Sequence, residues 1–130
     1  MGIIQNNDLR EHLLRTGARS QGYDLTPADL ESIEYLEITS EEYQFWDEGE
    51  DSVVTSSFYQ AEDLEKFPNL IVLCIQDQPL RGKISLPPSI EEVAITKCNR
   101  IQLSIGDETF ELAPSEKTWM WKKGKGVLGL

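Results

Sequence analysis

The chain has 130 residues, 39% of them hydrophobic and 27% charged, which is the composition of one globular domain spanning 1–130. Twelve Lys and Arg stand against 23 Asp and Glu, giving a net charge of −11 and a pI near 4.4. That balance argues against a nucleic-acid binder, which needs a cationic face to displace counterions from phosphates, and against an electrostatic anchor on anionic lipid.

The chain opens Met1-Gly2-Ile3-Ile4-Gln5-Asn6, with no basic stretch ahead of an apolar run, so it does not read as a secretory signal. Residues 7–16 form a short helix, capped by Asn7 or Asp8, with Leu9, Leu13 and Leu14 as its apolar stripe and Gly17 past its end. His12, the one histidine, lies on this helix and is expected at the surface or in a capping role. Residues 17–25 are a loop. Thr26-Pro27-Ala28-Asp29 starts a second helix, from 27 to about 32, since Thr26 can cap it and Pro27 suits its first position. Residues 33–38 alternate with period 2 and read as a strand.

Residues 39–57 are polar and acidic and read as a long loop, with Val53-Val54 a short strand candidate. A helix is expected from about 58 to 66, ending before Pro68. Leu70 to Ile75 is a strand, its continuous apolar character implying burial on both faces. Pro79, Gly82 and Pro87-Pro88 punctuate the next connection. Strands follow at 91–96 and 101–105. Gly106-Asp107 is a two-residue hairpin signal leading into a strand at 108–112. The final stretch, 114–130, is basic and tryptophan-containing. It reads as a strand whose Trp119 and Trp121 dock on the core while its lysines face the acidic region, and its last glycines make the end flexible. Cys74 and Cys98 sit among apolar residues in strand-like segments and read as free thiols in the core.

Three segments share a spacing: Leu30-x-x-Ile33-x-x-Leu36-x-Ile38, Phe67-x-x-Leu70-x-x-Leu73-x-Ile75, and Ile90-x-x-Val93-x-Ile95-x-x-Cys98-x-x-Ile101. Each unit would place a strand on a shared parallel sheet and bury its apolar residues only by stacking on the next. The pattern resembles the leucine-rich repeat family over about residues 25–105. Leu86 through Ile95 looks like the proline-containing repeat of bacterial effectors, and Leu25 through Ile38 is similar to an internalin-type unit. In that family an Asn or Cys beyond the strand bonds neighbouring turns. Cys98 matches the slot, whereas Glu41 and Gln78 in the corresponding places do not. The step from Leu36 to Leu73 requires an insertion. The fold class is accordingly α+β or a short α/β solenoid. It would combine a degenerate leucine-rich-repeat-like sheet with short N-terminal helices and a C-terminal β-hairpin.

No catalytic motif, phosphate loop or Cys/His metal spacing is present, and no cofactor is expected. Asp47-Glu48-Gly49-Glu50-Asp51 offers oxygen ligands near a glycine but lacks the EF-hand pattern. The informative feature is charge segregation. Residues 20–65 contain no Lys or Arg and fourteen acids. Aromatics interleave with them most densely in Glu41-Glu42-Tyr43-Gln44-Phe45-Trp46-Asp47-Glu48, followed by Glu50 and Asp51. Aromatics supply rigid contact area and carboxylates steer a cationic partner. The expected function is therefore a small acidic cytoplasmic protein-binding module, not an enzyme. In its most concrete form it is a bacterial immunity-type inhibitor that occludes a basic toxin. Its site would be Glu41, Glu42, Tyr43, Phe45, Trp46, Asp47, Glu48, Glu50 and Asp51, with Tyr35, Glu37 and Tyr59. Two alternatives stand beside it. One is a leucine-rich-repeat adaptor binding through the sheet face with Glu34, Tyr35, Glu37, Glu92 and Lys97, and the other is a carboxylate-based enzyme.

Overall fold

The structure is a computed structural model that describes residues 4–16, 25–40, 52–55, 57–114 and 116–129. In chain order its elements are α1 (Asn7–Thr16), α2 (Pro27–Glu31), β1 (Tyr35–Thr39), β2 (Ser52–Val54), a 3-10 helix (Ala61–Lys66), β3 (Val72–Gln76), β4 (Gly82–Leu86), β5 (Glu92–Thr96), β6 (Ile101–Ile105), β7 (Glu108–Leu112), β8 (Trp119–Lys122) and β9 (Gly126–Gly129). The architecture is mixed α+β. A six-stranded sheet has the order β2-β1-β3-β5-β8-β9, and a three-stranded sheet the order β4-β6-β7.

Helix α1 is capped one residue earlier than expected. Asn6 accepts the Leu9 N–H on its side-chain oxygen at 3.0 Å, satisfying a donor that the helix itself cannot. The Asn6 and Gln5 amides donate in turn to the fully buried Asp63 carboxylate at 2.8 and 2.9 Å. This ties the start of the chain to the 3-10 helix. His12 is buried, not at the surface, because positions 9, 12 and 13 share the inward face of α1. Thr26 and Asp29 cap α2 reciprocally, with Pro27 in its first turn.

The larger sheet is built on a register of apolar residues. Leu36 pairs with Leu73 and Leu73 with Val93, while Ile38 pairs with Ile75 and Ile75 with Ile95. All six are buried, and alternation turns their neighbours outward. Strand β3 is therefore half-buried on its outer side rather than enclosed on both faces. It begins at Val72 and β1 at Tyr35, each two residues later than expected, since the preceding residues turn into the sheet through bonds from the Ile71 and Val72 N–H groups to the Glu34 carbonyl.

From β3 to β6 the chain alternates between the sheets. Val72 pairs with Glu92, twenty positions on, and Gly82 with Ile101, nineteen on. Strand β4 falls where only a punctuated connection is expected. Ile84 and Leu86 are buried there between exposed Lys83 and Ser85. The predicted helix over 58–66 is a 3-10 helix from Ala61. Phe58 is held in irregular backbone because its N–H donates to Gln78. Of the expected loop at 39–57, Ser52–Val54 is a strand parallel to β1, and residues 41–51 lie outside the described residues.

Gly106 takes a φ of 60° in the β6–β7 hairpin, where Asp107 stays at negative φ, as a type II′ turn requires. Residues 119–129 form a second hairpin on the edge of the larger sheet. Trp119 and Trp121 dock on the core as expected, opposite Ile95 and Val93. Lys122 meets Glu92 at 3.3 Å, so this lysine faces the neighbouring strand instead of the acidic run at 20–65. The Trp121 indole N–H is buried and has no hydrogen-bond partner among the described residues.

Candidate partner-binding surfaces

The outer face of the larger sheet follows from the register. One row reads Tyr35, Val72, Glu92, Lys122, and the next Glu37, Cys74, Ala94, Met120. Tyr35 is 43% and Met120 37% exposed, and Val72, Cys74 and Ala94 are half-buried. The result is a mainly apolar strip with two carboxylates and a lysine set into it. A third row, Thr39, Gln76 and Thr96, is polar and mostly buried. Thr39 donates to Gln76 at 3.0 Å, and Thr96 shares a hydrogen bond with Thr118 at 2.7 Å.

Both cysteines are free. Cys74 lies in the middle of the outer face; its thiol is pushed up to about 12, first by burial and then by the Glu37 carboxylate beside it. Cys98 lies in the turn after β5 rather than in a strand, and burial pushes it up to about 11. Both stay protonated at neutral pH, which removes the thiolate that nucleophilic or redox chemistry needs.

Each of β3 and β5 is followed by a residue in the left-handed region, Asp77 at φ 53° and Lys97 at φ 52°. Such a backbone costs a non-glycine residue about 1–2 kcal/mol. Its compensation is visible: the Asp77 N–H donates to the Thr96 carbonyl at 2.9 Å, and its carboxylate accepts from the Ser40 hydroxyl at 2.7 Å. The next residues, Gln78 and Cys98, are buried in corresponding places. Gln78 donates to the Thr55 carbonyl at 2.6 Å and accepts the Phe58 N–H at 3.1 Å, bridging to the preceding connection. Asn99 likewise donates to the Pro79 carbonyl, Ser89 to those of Pro68 and Leu70, and Asn69 to that of Glu31.

Of the residues singled out from the sequence, Tyr35 and Glu37 share the outer face of β1. Tyr59 is 58% exposed but lies beyond the end of β2, whereas Tyr35 begins the parallel β1, so the two stand at opposite ends of the sheet. Glu41, Glu42, Tyr43, Phe45, Trp46, Asp47, Glu48, Glu50 and Asp51 lie outside the described residues, as does the oxygen-rich segment at 47–51. Of the alternative face, Glu92 joins Tyr35 and Glu37, Glu34 precedes the strand, and Lys97 sits in the turn opposite Asp77 at 3.9 Å. Val72, Cys74, Ala94 and Met120 were not foreseen as site residues. Period-2 alternation in 70–75 and 91–96 would have placed the first three on this face, had the apolar run at 70–75 not masked it.

Among the described residues no group of three or more His, Cys, Asp and Glu side chains could hold a metal ion. No helix among them is long and apolar enough to cross a membrane. No family model matches the chain, and comparison with curated proteins and with solved structures gave no match.

Proposed function

We propose that the chain is a small, acidic, cytoplasmic protein-binding module that holds a basic partner, in its most concrete form an immunity-type inhibitor occluding a toxin. The observation that carries the reading is the outer face of the larger sheet. Its apolar strip from Tyr35 to Met120 offers contact area, and Glu37 and Glu92 sit within it in a chain of net charge −11. Carboxylates around an apolar patch steer a cationic partner and raise its association rate, while the desolvated aromatic and aliphatic contacts hold it.

The same strands support reading the fold as a short leucine-rich-repeat-like stack. The twenty-residue pairing of β3 with β5, the aligned Leu36, Leu73 and Val93, and the bridging amide of Gln78 are features that such stacking uses. An adaptor binding through the sheet face alone is the second reading, favoured by the coplanar Tyr35, Glu37 and Glu92.

The test is capture by tagged protein at low and high salt, followed by mass spectrometry. The inhibitor reading expects a single basic protein at low salt, released by salt, by Glu37→Lys with Glu92→Lys on the sheet face, and also by joint charge reversal of Glu41, Glu42, Asp47 and Glu48 to Lys. Retention of a partner that is lost only on Tyr35→Ala, Glu37→Lys and Glu92→Lys selects the adaptor. A partner unaffected by either set of changes refutes both.

A further inference from the structure

Two adjoining cavities run along the ends of β3 and β5, where the chain leaves the larger sheet for the smaller one. The first, of about 490 Å³, has Ile95, Ile101, Leu112 and Trp119 in its walls. The second, of about 570 Å³, lies against Asp77, Gln78 and Pro79. Lys97, Cys98, Asn99 and Pro114 border both, so the two adjoin as one groove. Its deepest apolar wall is braced from behind, since Phe110 packs on Trp119 with ring centroids 5.4 Å apart and planes tilted by 58°. A braced wall costs little to order when a ligand arrives.

The charges along the groove are arranged unequally. Asp77 and Lys97 face each other at 3.9 Å and offset one another. Glu111, Glu116 and Lys117 also border the groove, so its charged groups sum to one net negative charge. The whole chain, at −11, adds a field that repels anions and attracts cations. Two adjoining cavities suit successive residues of an extended chain, the apolar wall calls for one bulky side chain, and the net charge calls for a cationic ligand.

We propose that this groove binds an extended basic peptide segment, with a leucine- or phenylalanine-sized side chain seated against Trp119, Ile95 and Leu112 and flanking lysines or arginines at Glu111 and Glu116. The groove contains none of Tyr35, Glu37, Glu92 and Met120, the residues that carry the sheet-face reading, so it stands or falls independently of that reading.

The test uses the full chain, labelled for amide NMR, and two blocked pentapeptides. One alternates lysine with leucine and phenylalanine, and the other carries glutamate in place of each lysine. The lysine peptide is expected to shift amides in 97–101, 111–113 and 117–119 saturably at or below about 1 mM. Ala113→Trp, a bulky change at an exposed position of the lining, is expected to abolish the shifts. Glu111→Lys is expected to weaken binding about fivefold, the size of one exposed ion pair. Circular dichroism verifies that each variant is folded, and the Glu111 variant carries the test should the tryptophan variant fail to fold. No saturable shift with the lysine peptide overturns the proposal. So do shifts confined to other residues, equal binding of the glutamate peptide, or binding unchanged in folded variants.

Discussion

Replacing Gln78 with leucine removes a buried amide while leaving an apolar side chain of similar size. Gln78 is 3% exposed and makes three hydrogen bonds to backbone groups: the Phe58 N–H, the Thr55 carbonyl and the Gln76 carbonyl. The first two belong to a connection more than twenty positions earlier, or twenty in the case of Phe58, so no local turn can replace them. An unsatisfied buried polar group costs about 1–3 kcal/mol, and two such groups put the loss at about 2–6 kcal/mol. That is a large share of the ~5–15 kcal/mol that holds a typical domain together, and corresponds to a fall of roughly 10–20 °C in Tm. Urea unfolding followed by circular dichroism measures it, with Gln102→Leu on half-buried β6 as the control, expected within about 0.5 kcal/mol of the parent. A Gln78→Leu loss below about 1 kcal/mol would refute the bridging role, because water or a shifted backbone must then satisfy both groups.

Asp63→Asn keeps the shape of a fully buried side chain but turns one acceptor into a donor facing the Gln5 or Asn6 N–H; a loss of about 2–3 kcal/mol in the same unfolding assay is expected. Alkaline titration should weaken the fold through the two thiols. Their folded pKa values, about 12 and about 11, lie above the ordinary 9.0, so this contribution is intact below pH 9.0 and is lost as pH rises towards 11 and 12. Cys74→Ala and Cys98→Ala are each expected to flatten that decline, and a thiol reagent at pH 8 should react slowly with the folded parent and rapidly in urea. Trp121→Phe is expected to change stability by no more than about 1 kcal/mol, because relief of a buried N–H without an acceptor offsets the lost volume; a loss above 3 kcal/mol would show that the indole N–H has an acceptor.

Much of the larger sheet was legible because period-2 alternation and apolar spacing are local. The strands at 91–96, 101–105 and 108–112 are present within one residue, and the hairpin follows from Gly106 because only that position needs a positive φ. The α2 cap was legible for the same reason: Thr26, Pro27 and Asp29 satisfy the first turn without help from elsewhere. Strand β4 was not, since Gly82 and Pro87 read as punctuation and the partner that makes 82–86 a strand is β6, nineteen residues on. Nor was the Asn6 cap, whose preference over Asn7 and Asp8 depends on Asp63 holding its N–H and on Gln60 and the Ser57 carbonyl accepting from its amide.

The candidate surfaces divide along the same line. Tyr35 and Glu37 could be placed on one face by counting residues, and the acidic balance of the chain is a property of composition alone. That Glu92, Cys74 and Met120 join them is a matter of register between strands far apart in the chain, and only tertiary pairing sets it. The burial of Gln78, in a slot where its chemistry looked wrong, was decided by the Thr55–Phe58 connection that closes over it. The groove beside Trp119 exists only because the β5–β6 turn and the β7–β8 connection meet at one end of the sheets. Sequence by itself determined the alternation, the turns and the charge of this protein, all of which act over a few residues or none. Tertiary structure decided which alternating faces meet, because the satisfaction of buried backbone groups depends on partners that no local pattern specifies.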